Sequence, residues 1–420
     1  MSTSDLGKAA AAAIGARGEE LTELAAALVR FDSVTGPAGN EEPIQRWIAE
    51  RLRELGPELD VWDVTHDPDG RALEFSRPNV VATWPGSSAG RSLLVNGHVD
   101  VVPARTDGWT HDPFGGVVED DHVWGRGSVD TKGGLAAAIF AIQVLHELGW
   151  RPRGTLALHA VMGEESGEGG THAAIERGHG ADAAVVLEPT ELTVQPLEGG
   201  FLLLSVEVSG TAGHACDRWR LRLDDARASA IDKGLLVVAV LRDHDERWRG
   251  TKHHDAFPEG WASLGVNVID AGTTFGSIPA NFHAECVVWY LPGEDASALR
   301  SEVEAAVADA CVGDAWLESN PPRLGWSLDY PPAVTSGHHP IVETMLAATR
   351  ASGLKSELKA FEAVSDLRWV TGHHGIPAVL FGPGSLASAH AVDERVSVED
   401  LVQAARVLAQ GIASWCGHDD

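Results

Sequence analysis

Two histidines and three carboxylates stand out in this sequence for what they allow in combination: His98, Asp130, Glu165, Glu188 and His390. Imidazole nitrogen and carboxylate oxygen suit borderline divalent metals, and these residues together make a ligand set for two ions. Zinc fits such donors, as do cobalt and manganese. A pair of bound divalent ions lowers the pKa of water and polarises a carbonyl. Glu164 directly precedes Glu165. In an extended segment adjacent side chains diverge, so one carboxylate can bind metal while the other faces the water between the ions. In His98-Val-Asp100 a carboxylate follows an imidazole by two residues, where it can accept the other ring N–H and fix the tautomer. Alone, each feature has an ordinary reading: His-x-Asp is a surface pair, Asp130 a helix N-cap, and Glu-Glu a solvated turn.

The elements that must position these residues can be read around them. Apolar runs at 92–95, 155–162 and 183–187 lead into His98, Glu164-Glu165 and Glu188, each a buried-strand signal followed by polar residues. Asp130 lies in Gly125-Arg-Gly-Ser-Val-Asp-Thr-Lys-Gly-Gly134, just before a helix-like run through Leu148. His390 follows a strand-like 378–381 and the turn Gly382-Pro-Gly-Ser385. In an open α/β sheet ligands bind outside the carboxyl ends of the strands, so these strand ends are predicted to converge.

A chain of 420 residues with 44% hydrophobic residues can support two cores. Its formal net charge of −29 repels phosphate, which excludes nucleic acid and anionic membranes as expected partners. Cys216, Cys286, Cys311 and Cys416 have neither disulfide density nor zinc spacing and read as reduced thiols. The Ala-rich stretch at 8–14 is interrupted by Arg17, Glu19 and Glu20 before an export signal develops, and no window approaches a membrane span of about 20 apolar residues. A first amphipathic helix is predicted at 20–29, and the protein is expected to be cytoplasmic.

At Gly199-Gly200 the pattern changes. Strands are predicted at 201–209, 262–270, 281–290 and 323–328, with helices within 226–242 and at 296–312. This β-α-β-β-α-β order, free of ligand candidates of the first kind, describes a separate ferredoxin-like α+β module at 199–331. Because His390 follows it, the module is an insertion in a discontinuous domain of 1–198 and 332–420, with Pro331-Pro332 at the return.

These motifs resemble, in joint order, the M20 family of cocatalytic zinc peptidases and deacylases. They are His98-Val-Asp100, Asp130-Thr-Lys-Gly-Gly134, Glu164-Glu165, Glu188-Pro-Thr190, Gly210-Thr-Ala-Gly-His214, Ser365-Asp-Leu-Arg368, Gly382-Pro-Gly384 and His390. The resemblance implies an α/β zinc-peptidase-like catalytic domain with a mixed sheet flanked by helices, and an inserted lid and dimerisation domain. It makes Asp130 the bridging carboxylate, with Glu188 completing the His98 site and Glu165 and His390 forming the other. Glu164 becomes the general base, Asp100 the partner of His98, and His214 an oxyanion donor reaching the active site of the other subunit of a homodimer or arriving on lid closure. In that family a Glu at position 188 accompanies deacylases and carboxypeptidases, whereas aminopeptidases more often carry Asp, which inclines the reading towards N-acyl substrates. Histidine pairs 253–254, 338–339 and 373–374 lack carboxylates at useful positions and read as surface residues or solvated turns.

The sequence departs from this pattern where many relatives grip a substrate carboxylate. Counted from Ile278-Pro279, the family's Asn and Arg positions hold Gly276 and Trp289, and no arginine occurs between Arg249 and Arg300. A fork that binds carboxylate through two bonds is not replaced by lysine. Gly276 would leave room and Trp289 would supply an apolar wall for an aromatic or bulky amide, unless Trp289 simply packs in its sheet. Arg368 is either a substrate-binding group or an ion-pair partner. The expectation is a dinuclear-metal amidohydrolase that deacylates a small N-acyl compound. The alternatives are a metallocarboxypeptidase or dipeptidase, and a catalytically silent binding protein of the same fold.

Overall fold

Four of the apolar runs pair as parallel neighbours in the computed structural model, which describes residues 2–36, 40–88, 90–104, 107–222 and 227–419. Leu156–Val161, Leu93–His98, Ala183–Val186 and Ala378–Leu380 lie side by side in that order, all parallel. Every residue of these strands is buried, as strands covered on both faces require. Ala72–Trp84 and Glu58–His66 extend the sheet antiparallel beyond Leu156–Val161, so the six-stranded sheet is mixed.

The helix Lys132–Glu147 is buried on nearly all sides, which marks it as a core element. It packs against Val398–Cys416 and Gly18–Val29. Leu135, Ile139, Phe140 and Ile142 are removed from solvent, each stabilising the fold by about 1.5–3 kcal/mol. Its first turn sits so tightly that a Cβ on Gly133 would overlap the carbonyl oxygen of Ser128. The predicted helix at 20–29 is Gly18–Val29. Before it stands Thr3–Ala16, which absorbs the Ala-rich stretch: Leu6, Ala10 and Ile14 recur at helical spacing and are buried, and the helix packs on Val398–Cys416. Among the described residues no helix is long and apolar enough to cross a membrane.

The chain divides into two compact units. One is Met1–Leu197 with Val334–Phe361 and Ser365–Asp420, and the other is Glu198–Ala333 with Glu362–Val364. The second contains an antiparallel sheet ordered Ser263–Ala271, Asn281–Tyr290, Gly200–Ser209 and Arg323–Tyr330. Alternate residues form its core: Leu202, Leu204, Val206 and Val208 face inward with Phe282, Ala284, Cys286 and Val288. The helices Ala230–Thr251 and Ala296–Cys311 complete that core. The first runs nine residues beyond the predicted end at 242, because Val237, Leu241, His244 and Trp248 keep the buried stripe going beneath a charged surface. Ala226, where the predicted range begins, lies outside the described residues. All four cysteines are free, and only Cys216 is exposed.

Candidate metal centre

The parallel strands place the ligand candidates at neighbouring carboxyl ends. His98 is the last residue of its strand, Glu164-Glu165 follow Leu156–Val161, and Glu188 lies two residues beyond Ala183–Val186. Asp130 precedes Lys132–Glu147, whose N-cap is Thr131, so Asp130 is not the cap. It is joined to Thr131 by a cis peptide bond. His390 adopts a left-handed backbone conformation with φ of 57°, uncommon for a residue with a Cβ and more frequent where function dictates geometry. Gly382 in the preceding turn allows close backbone approach, since a Cβ there would lie 2.6 Å from the carbonyl oxygen of Glu188.

The five side chains gather into two groups that share Asp130. His98, Asp130 and Glu188 form one, and Asp130, Glu165 and His390 the other, with ligand-capable atoms in each within 4.8 Å of one another. Asp130 turns Oδ1 to His98 Nε2 at 3.0 Å and Oδ2 to His390 Nε2 at 3.4 Å, while Glu165 Oε1 lies 3.1 Å from the same His390 nitrogen. One carboxylate thus offers an oxygen to each group.

The surroundings of His98 differ from the sequence expectation. Its Nδ1–H donates to the backbone carbonyl of Asp100 at 2.9 Å, whereas the Asp100 carboxylate is 3.7 Å away. That carboxylate instead accepts the backbone N–H groups of Glu164 at 3.1 Å and Glu165 at 3.0 Å. The tautomer of His98 is fixed by a main-chain oxygen, and Asp100 shapes the loop carrying the two glutamates. The loop is also a turn rather than an extended segment: Gly167 N–H donates to the Glu164 carbonyl at 3.0 Å. Glu164 is directed to Arg368, with Nη1 3.2 Å from its Oε1. Arg368 is itself buried, in ion-pair contact with Glu164.

Burial and mutual charge shift the proton affinities of these groups. Burial raises Glu188 well above the carboxylate range, with Asp130 adding to the effect. Burial and Asp130 also raise Glu165. Burial pushes Glu164 up to about 8 against the opposing pull of Arg368. His98 would be depressed by burial, but Asp130, Asp100 and Glu164 carry it well above the usual imidazole range. The bonds to Asp130 and Glu165 raise His390 to about 10. Asp130, despite its burial, is held below the usual range by both histidines. Imidazole nitrogens and carboxylate oxygens gathered in two groups that share Asp130 are a donor set that fits two divalent ions.

Several supporting residues were not identifiable as such in the sequence. Asp366 accepts from Thr171 Oγ1 at 2.5 Å and from Asn96 Nδ2 at 3.1 Å, linking the His98 strand to the Ser365-Asp-Leu-Arg368 motif. Its place beside Arg368 in the motif was the available signal. Glu394 accepts from the N–H groups of Val129 and Asp130 and pairs with Arg126, all buried. Within Asp393-Glu-Arg395 it looks like any solvated charge, so no local signal marks it. Lys132 is wholly buried, donates to the Phe31 carbonyl at 2.7 Å and is depressed by burial to about 7.

The remaining candidates belong to the second unit. His214 lies on a short strand paired with Ser277–Ile278, is exposed, and accepts the Cys216 backbone N–H at Nδ1, which places the proton of a neutral ring on Nε2. Gly276 accepts from Ala215 N–H, and a Cβ there would be in ordinary contact with Thr274 Oγ1 at 4.0 Å. Trp289 packs edge-on against Phe201 with ring centres 5.1 Å apart and lies 5.6 Å from Trp261. In the first unit, His339 caps Pro340–Ala351 by accepting from Ile341 N–H. His373 and His374, read as solvated turn residues without carboxylate companions, instead gather with His172 in a cluster bordered by Glu176. Burial depresses His172 and His374, and neighbouring imidazoles depress them further.

Comparison with known proteins adds to this geometry. The model of peptidase family M20/M25/M40 matches residues 94–414. The N-formyl-4-amino-5-aminomethyl-2-methylpyrimidine deformylase of Bacillus subtilis (strain 168) is 32% identical over 95% of this chain and 95% of its own. A succinyl-diaminopimelate desuccinylase of Cereibacter sphaeroides (strain ATCC 17029) is 31% identical over 77% of this chain and 83% of its own. Among solved structures, the fold matches a Bacillus subtilis dinuclear metal-binding peptidase of the M20 family with a TM-score of 0.66, at 15% identity over 96% of this chain and 99% of that one.

Proposed function

The chain belongs to peptidase family M20/M25/M40, and from that premise we propose that it deformylates an N-formyl aminomethylpyrimidine or a close aromatic relative. The broader activity, metal-dependent hydrolysis of an amide C–N bond in a small N-acyl compound, is that of its relatives and of its family. The observation that carries the reaction is Asp130, offering one oxygen to each of two ligand groups beside the half-buried Glu164. The choice of substrate is supported by full-length likeness to a deformylase and by the lack of any arginine between Arg249 and Arg300 to hold a carboxylate.

In this reading His98, Asp130 and Glu188 would hold one divalent ion and Asp130, Glu165 and His390 the other, with zinc favoured by the donors. Bound there, the ions supply Lewis acidity towards water and the substrate carbonyl. Glu164 takes a proton from water as the water oxygen bonds to the formyl carbon. The C–N bond then breaks, and Glu164 returns the proton to the leaving amine, giving formate and the free amine. Burial lifts its proton affinity above that of an ordinary carboxylate, so it can hold the proton between the two steps. Arg368 holds the carboxylate in place. His214, protonated on Nε2, is suited to donate to the developing oxyanion, in our reading from the second unit of a partner in a homodimer formed through 199–331. Gly276 and Trp289 are proposed to shape the substrate side of that unit, and the protein to act in the cytoplasm.

The test is amine release from N-formyl, N-acetyl and N-succinyl compounds, with and without an adjacent carboxylate, using zinc-loaded and chelated protein. The formyl aminopyrimidine should exceed carboxylate-bearing members at least ~10-fold in kcat/KM, and chelation should abolish release. Faster cleavage of dipeptides with a free carboxyl terminus would select the dipeptidase or carboxypeptidase reading instead.

A further inference from the structure

Outside the two groups that share Asp130, the first unit brings three more imidazoles together. His172 lies on the short helix Gly170–Glu176, while His373 ends and His374 caps the π-helical turn Arg368–His373. Their ligand-capable nitrogens are all within 4.8 Å of one another, although His172 precedes the adjacent pair His373-His374 by about 200 residues. We propose that His172, His373 and His374 form a third, separate binding site for a divalent transition metal of the zinc class.

The geometry suits one ion held by the three rings. His172 Nδ1 and His374 Nε2 are 3.1 Å apart. Two nitrogens bound to one tetrahedral zinc at about 2.0–2.1 Å would stand roughly 3.3 Å apart, so little movement is needed. The opposite nitrogen of His374 faces Glu176, with Nδ1 3.7 Å from Oε1. A carboxylate on that side favours the proton on Nδ1 and leaves the Nε2 lone pair for a metal. The His373 ring centre is 4.9 Å from that of His172 and 4.8 Å from that of His374. Among the described residues the His373 ring has ring contacts but no hydrogen bond. Trp369 covers one flank, 5.1 Å from His172 between ring centres. His373 is exposed, so a water can complete the coordination from solvent.

The competing account is a stacked histidine cluster joined by one N–H···N bond, and it predicts no metal dependence. An ion at this point would tie Gly170–Glu176 to the turn that begins at Arg368. Thr171 of that helix already makes a buried bond to Asp366, two residues before the turn. The consequence would be a firmer seat for the guanidinium facing Glu164, making the site a positioning device and not part of the reacting centre.

Stoichiometry and spectroscopy test this without reference to turnover. Tag-free full-length protein and its His373→Ala/His374→Ala variant are titrated with Zn2+ by calorimetry and with Co2+ by visible absorption. The unaltered protein should bind one equivalent more than the variant, or bind it at least ~10-fold more tightly, and should show an additional Co2+ ligand-field band. The same difference should persist in an Asp130→Asn background, where both groups of the shared centre have lost a ligand. Zinc should raise Tm more in the unaltered protein than in the double variant. Equal stoichiometry, affinity and Co2+ spectra with and without the two histidines would overturn the proposal. That result would leave the deformylase reading untouched, because neither histidine belongs to its reacting centre.

Discussion

Glu164 and His390 have proton affinities far from those of free side chains, and the causes lie in their surroundings. Burial raises Glu164, while bonds to Asp130 and Glu165 raise His390. Replacing Glu164 by Gln preserves size but removes the base, so kcat should fall by about 10²–10⁴-fold. Metal content measured alongside should not change, and retained turnover on the best substrate would reject Glu164 as the base. The same shifts have a sign in stability. Each group binds its proton more tightly folded than unfolded, so its contribution is present at low pH and lost on raising the pH. For Glu164 the loss runs from 4.5 to about 8, and for His390 from 6.5 to about 10. Metal-free protein should therefore show a falling Tm over pH 6.5 to 9, whereas zinc-loaded protein should be flatter because ions replace the shared protons. A metal-free Tm that rises over this interval would contradict the assignment.

At the scale of elements, four adjacent parallel strands deliver the chemistry. Their apolar runs were readable because both faces are buried and the polar residues begin where the strands end. The helix Lys132–Glu147 anchors Asp130 through its crowded first turn, where Gly133 lies against Ser128. Gly133→Ala should cost about 1–3 kcal/mol by overpacking, seen as a lower denaturant midpoint. It should also weaken metal binding, since displacement of the helix start carries Asp130 with it. Unchanged stability and metal affinity would show that the turn relaxes without cost. Helix ends were less legible. The helix Ala230–Thr251 runs past its predicted end because buried Trp248 lies among charged neighbours that conceal the apolar stripe.

The whole molecule poses the question of how the second unit serves the first. His214 belongs to Glu198–Ala333, and the five metal-ligand candidates belong to the other unit. If His214 acts across a homodimer, mixed Glu164→Gln and His214→Ala proteins should complement each other. Each mixed dimer then contains one complete site, and random re-association should restore roughly a quarter of the wild-type activity. Two inactive parents that remain inactive after subunit exchange would assign His214 to its own chain or to no catalytic role. A monomer by sedimentation would exclude the cross-subunit arrangement.

What the sequence determined by itself was mostly local or periodic. Strands at 201–209 and 281–290 were legible and are present as Gly200–Ser209 and Asn281–Tyr290, and apolar runs leading into His98, Glu164-Glu165 and Glu188 marked the ligand-bearing edge. The missing arginine between Arg249 and Arg300 was a matter of counting. Tertiary structure decided which oxygen meets which proton: the Asp100 carbonyl, not its carboxylate, orders His98, and Asp100 holds the turn at Glu164-Glu165. It also buried Glu394 beneath Asp130 and brought His172 to His373 and His374. No local pattern encodes such pairings, because strand order and helix placement bring together residues separated by hundreds of positions. Burial then gives those contacts their electrostatic strength.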